Sequence, residues 1–159
     1  MGIQMGRTLA AVLLFAAMLG AGTCRAGDRP TSIDIVVQGT MKAIIQAPSG
    51  MRDSSWSGLR RIPSCRVLGM RNTSTGTPIV HIVVSECEPG EYVLEAVSAG
   101  RALGFTAMAE GPDWQCGRGD GISAPASGES RSWSITFPDS TESDCPLAVR
   151  RLGTKRRNR

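Results

Sequence analysis

Apolar residues recur along this chain mainly at every second position. From Ser32 the sequence runs Ile-Asp-Ile-Val-Val-Gln-Gly-Thr-Met-Lys-Ala-Ile-Ile, so Ile33, Ile35, Val37, Met41, Ala43 and Ile45 hold the odd positions around Gly39. That alternation predicts extended chain with one buried face. Between Cys65 and Cys87, two β-prone runs flank Thr73-Ser-Thr-Gly-Thr, a hairpin signal. Folding the ribbon about Gly76 sets Cys65 opposite Cys87, Leu68 opposite Val84 and Met70 opposite Ile82. The expected apolar face is then Leu68, Met70, Val80, Ile82 and Val84, with Val67, Arg71, His81, Val83 and Ser85 on a mixed face. Glu91–Ser98 and Leu103–Ala109 read as a second hairpin, and Trp133–Phe137 as a strand. Residues 111–130 are rich in Gly, Ser, Asp and Pro and read as a long loop; Cys145–Leu152 reads as a last short strand. The pattern predicts an all-β sandwich of seven to eight short strands.

The first residues change the picture of where this fold works. Arg7, the apolar run Leu9–Leu19 and small residues up to Ala26 have the form of a secretory signal peptide, too short for a lasting membrane anchor. Cys24 follows Ala21-Gly22-Thr23, a poor lipobox. The expected organisation is a signal peptide over 1–26, an N-terminal strand segment over 27–47, a sandwich domain over 48–152 and a basic tail over 153–159. Removing the leader leaves Cys65, Cys87, Cys116 and Cys145, an even number that in an exported chain implies two disulfides. Three pairings exist, and the hairpin register favours Cys65–Cys87 with Cys116–Cys145. With no Cys-x-x-Cys and His81 the sole histidine, neither a metal nor another cofactor is expected.

Charge excludes one class of partner. Residues 27–149 carry ten Lys/Arg against fourteen Asp/Glu, whereas the last ten residues add six positive charges and no negative one. The basic character is terminal and not interleaved with aromatics across a face, so no nucleic-acid role is expected. Catalysis finds no support either. There is no Gly-x-Ser-x-Gly elbow or phosphate-cradling glycine loop, and His81 sits mid-strand without an evident orienting partner. The expected chain is not an enzyme.

Two stretches carry a resemblance. The segment Ile35-Val-Val-Gln-Gly-Thr-Met-Lys-Ala resembles the donor strand of bacterial chaperone–usher pilins. The order of Gly, Trp, glycine-rich loop, Pro, Glu and strand over 111–137 is similar to the invasin-type tip subunits of Afa/Dr fimbriae. The resemblance implies an immunoglobulin-like sandwich with Ile33, Ile35, Val37, Gly39 and Met41 filling the pockets of a neighbouring subunit. It also implies other fimbrial subunits and a periplasmic chaperone as partners, with passage through the periplasm to the fimbrium and cell surface. The chain departs from that pattern where pilins carry a cysteine, after the donor segment, and a tyrosine near the C-terminus.

Arg118-Gly119-Asp120, beside Cys116 and flanked by glycines, is the tripeptide of many integrin ligands and marks a receptor-contacting loop for a host-cell partner. Asn72-Thr73-Ser74 is a formal glycosylation sequon. Two functions follow from the sequence: an adhesive fimbrial subunit assembled by strand complementation, or a self-contained secreted or periplasmic sandwich that binds or inhibits another protein.

Overall fold

The computed structural model describes residues 32–72, 74–111, 115–137, 145 and 147–155. The expected signal peptide, Trp114 and the end of the basic tail lie outside these residues. Among the described residues ten strands form: β1 (Ser32–Gln38), β2 (Ala43–Gln46), β3 (Arg52–Ser54), β4 (Cys65–Arg71), β5 (Pro78–Ser85), β6 (Gly90–Val97), β7 (Leu103–Glu110), β8 (Gln115–Ile122), β9 (Ser130–Phe137) and β10 (Ala148–Lys155). They make two antiparallel five-stranded sheets, ordered β4-β5-β1-β7-β8 and β10-β9-β6-β2-β3. The all-β sandwich is as the alternation predicts, with more strands than the seven or eight expected.

The segment 33–45 does not form one strand. β1 lies in the middle of the first sheet, between β5 and β7, and buries Ile33, Ile35 and Val37. The chain then crosses to the second sheet, where Ala43 and Ile45 of β2 complete the same core. Gly39 makes the crossing fit: its φ is +87°, and a Cβ there would lie 1.9 Å from the Ala102 carbonyl oxygen. Thr40 fastens the crossing, its hydroxyl donating to Val97 O at 2.7 Å and accepting from Lys42 N at 2.8 Å. Within residues 32–47, β1 and β2 thus belong one to each sheet.

The expected second hairpin is likewise divided. β6 pairs with β2 and β9 in the second sheet, while β7 pairs with β1 and β8 in the first. Ser98 is the switch point; its hydroxyl donates to Pro125 O and accepts from Gly100 N.

The central hairpin forms, but in a different register. Val67 pairs with Ile82, Leu68 with His81 and Cys65 with Val84. The turn is centred on Ser74 and Thr75, whose amides donate to Asn72 Oδ1, and Gly76 takes a left-handed φ of 65° on the return limb. Moving the centre reverses the parity of β4 against β5. Val67 is therefore 4% exposed, while Leu68 and Met70 are 54% and 42% exposed.

One of the two expected disulfides is present. Cys116 on β8 is joined to Cys145, whereas Cys65 and Cys87 are unbonded. The register removes Cys87 from the position opposite Cys65, which is Val84, and the Cys87 thiol donates to Val84 O at 3.1 Å. Burial, with Asp53 adding to it, pushes the Cys65 thiol up to about 12, and burial pushes Cys87 up to about 11. Both thiols stay protonated at neutral pH.

Trp133, Tyr92, Phe137 and Leu94 fill the interior from the second sheet against Ile33, Ile35, Val37 and Ile82 from the first. Each such buried side chain stabilises by about 1.5–3 kcal/mol. Trp133 meets Phe105 edge to face with ring centroids 5.1 Å apart.

Candidate interaction surface

With the core between the sheets, the outward side chains of the first sheet form a second surface. The register stacks them in rows: Arg66, Val83, Asp34 and Met108; then Leu68, His81, Val36 and Thr106; then Met70, Ile79, Gln38 and Gly104. Leu68 and Met70 are exposed, and Val36, Ile79, Val83 and Met108 are half-buried with nothing above them among the described residues. The outer face of the second sheet is more polar, with Glu91, Glu95, Ser132, Thr136 and Arg150 set among Ile44, Val93, Val97, Ala148 and Leu152. A sheet covered on one side only normally alternates apolar-in with polar-out. The first sheet departs from that rule in four neighbouring strands, where Leu68, Met70, Ile79, Val83, Val36 and Met108 face outward between Arg66, Asp34, His81, Thr106 and Gln38, and outward apolar groups of this kind occur at interaction sites.

His81 stands inside this patch, its Nε2 2.6 Å from Asp34 Oδ1, with the side chains about one-third exposed. Asp34 is the orienting partner that the sequence does not reveal, because the two are joined only by the β1–β5 pairing. The nearest cross-strand neighbours of His81 are Leu68 and Val36, neither of them a nucleophile.

The expected donor-strand residues are drawn into this architecture. Ile33, Ile35 and Val37 point into the protein's own core, Gly39 forms the crossing, and Met41 lies half-buried with its methyl against Gly69. The expected receptor tripeptide is not on an exposed loop. Arg118, Gly119 and Asp120 lie in β8, paired with Ala107, Thr106 and Phe105 of β7. Glycines that suggest a loop are here accommodated by a close strand pair; a Cβ on Gly119 would lie 2.8 Å from Phe105 O.

Asp120 is held by three donors. Arg151 Nε and Nη2 reach its two oxygens at 2.8 and 2.7 Å, and Trp133 Nε1 reaches it at 2.8 Å. Its carboxyl is lowered to about 2, chiefly by the Arg151 hydrogen bond. The tripeptide's carboxylate therefore ties β8 to β9 and β10 across the sandwich, alongside the Cys116–Cys145 bond. Beside this tie, a groove of about 510 Å³ runs between the edges of β8 and β10, lined by Arg118, Gly119, Asp120, Ala148, Val149 and Arg151.

Sequence reasoning missed the surface residues, although a signal was present. Val36, Ile79, Val83 and Met108 occupy positions where strict alternation requires polar side chains. Among the described residues, no group of three or more His, Cys, Asp or Glu is placed to hold a metal ion, and no helix is long and apolar enough to cross a membrane. The chain matches no protein-family model, no curated protein and no solved structure.

Proposed function

We propose that the protein is an exported, self-contained β-sandwich that binds another protein through the outer face of its first sheet. The observation that carries this reading is the group of outward apolar side chains Val36, Leu68, Met70, Ile79, Val83 and Met108 on an otherwise complete sandwich. The fitting partner presents a flat apolar surface, with a polar group at the His81–Asp34 pair that divides the patch. Export is supported by the leader and by the Cys116–Cys145 bond.

The self-contained form is preferred to strand exchange between subunits because β1 is paired on both edges within its own sheet. A donor strand acting in trans needs its apolar side chains free for another subunit's pockets, and Ile33, Ile35 and Val37 are already used.

The test is a photo-crosslinking residue at position 68, applied to the mature protein in the extracytoplasmic fraction of its native source. The expected result is one dominant adduct, lost in the Val36→Lys and Val83→Lys variants while their thermal unfolding stays within about 3 °C of wild type. Adducts that survive both substitutions would show that the patch does not select a partner.

A further inference from the structure

The two sheets leave four strand edges, and three carry features that discourage pairing. β3 is only three residues long, β4 carries Arg66 and Arg71, and β10 carries Arg150 and Arg151. β8 is different. It is eight residues long, and its outward positions after Gln115 are Gly117, Gly119 and Gly121, so the strand sets no side chain of its own on that face, and among the described residues Arg151 reaches the edge only at the Gly121 carbonyl. In an antiparallel ladder, alternate residues of an edge strand direct both backbone groups away from the neighbour. The Gly121 carbonyl accepts from Arg151 Nη2 of the other sheet at 3.0 Å, which places Gly121 in the outward-directed set. Gly117 and Gly119 share its parity and belong to the same set.

We propose that β8 pairs with β8 of a second copy of this chain, antiparallel about a two-fold axis through Gly119, joining the first sheets of two molecules. The charges of the strand fit this occupant. With Gly119 on the axis, Arg118 of each copy stands opposite Asp120 of the other, in the non-hydrogen-bonded positions where cross-strand side chains approach most closely. The three-residue sequence is thus complementary to itself, once in each direction across the axis. Isologous pairing of this kind closes as a dimer. The groove between β8 and β10 leaves room for the second Arg118 beside the Asp120–Arg151 pair. This contact is separate from the apolar face and does not depend on its role.

Sedimentation of the mature protein across a concentration series tests the pairing. A monomer–dimer equilibrium is expected at micromolar to millimolar protein, weakening with added salt. Gly117→Pro deletes an outward amide, and Gly117→Ala keeps it; a Cβ at this position meets its nearest neighbours at 3.5 Å, an ordinary contact. The proline variant should be monomeric and the alanine variant dimeric, with matching far-UV spectra and melting temperatures. Arg118→Asp should raise the dimer dissociation constant about tenfold, as expected for the loss of two cross-strand charge pairs. Leu68→Asp should leave it unchanged. A wild type that stays monomeric at the highest concentration, or a dimer indifferent to Gly117→Pro, overturns the proposal.

Discussion

Replacing Val67 and Leu68 separately by alanine measures the register of the central hairpin, because the two candidate registers give opposite orders of stability. Val67→Ala removes two carbons from a side chain that is 4% exposed. At about 0.8 kcal/mol per buried carbon, plus a cavity contribution, the expected cost is about 2 kcal/mol. Leu68→Ala removes three carbons, but the residue is 54% exposed and stands at an open edge where no cavity can form. Its cost is about 1 kcal/mol or less on the same scale. The smaller truncation should therefore destabilise more. Urea unfolding of the mature chain, followed by tryptophan fluorescence, resolves this difference because domains of this size are stable by only about 5–15 kcal/mol. The slope with denaturant should stay constant, so that the change reads as stability. If Leu68→Ala costs more than Val67→Ala, β4 has the opposite parity, Leu68 belongs to the core, and the apolar outer patch loses its edge.

Three further outcomes follow. Under denaturing, non-reducing conditions the mature chain should take up two alkylating groups, at Cys65 and Cys87, whereas the native chain should react slowly at neutral pH because burial raises both thiols; no uptake in denaturant would show a second disulfide. Replacing Cys116 and Cys145 together by serine should cost about 2–4 kcal/mol, read as an earlier urea midpoint, since the bond closes a separation of 29 residues. Asp120 is lowered from 3.8 to about 2 by Arg151, so its contribution is full above the unfolded value and is lost as pH falls through about 2. Melting temperatures between pH 5 and 2 should therefore fall less steeply in Asp120→Asn than in wild type, and equal slopes would remove the ion pair from the account.

How far the chain could be read depended on which contacts decide each element. β1, β6 and β9 are legible because Ile33-Ile35-Val37, Tyr92-Leu94-Ala96 and Trp133-Ile135-Phe137 alternate locally, and local alternation is what burial on one face requires. The parity of β4 is not legible in the same way. Its sequence, Cys-Arg-Val-Leu-Gly-Met-Arg, offers apolar residues on both faces, and the choice is made by the Asn72 turn, whose shape shifts the register. β8 is hidden for a different reason: glycine weakens strand propensity, and what holds this strand is distant in sequence. Cys116 meets Cys145, and Asp120 meets Trp133 and Arg151. The tripeptide that suggested a displayed loop is therefore part of the frame.

The outer patch shows how side chains at unexpected positions can indicate function. In β5, the sequence Pro-Ile-Val-His-Ile-Val-Val-Ser is apolar on both faces apart from His81, which usually means a strand covered on both sides. Here the described residues cover one side only.

Amide exchange across β1 in the isolated mature protein tests the central claim of a sandwich complete in itself. Because β1 lies between β5 and β7, exchange from Ile33 to Val37 should require global unfolding, and these amides should be among the slowest in the molecule. Fast exchange at these positions, slowed only by adding a peptide of the sequence 33–45, would contradict the account and return β1 to the role of a strand meant for another subunit.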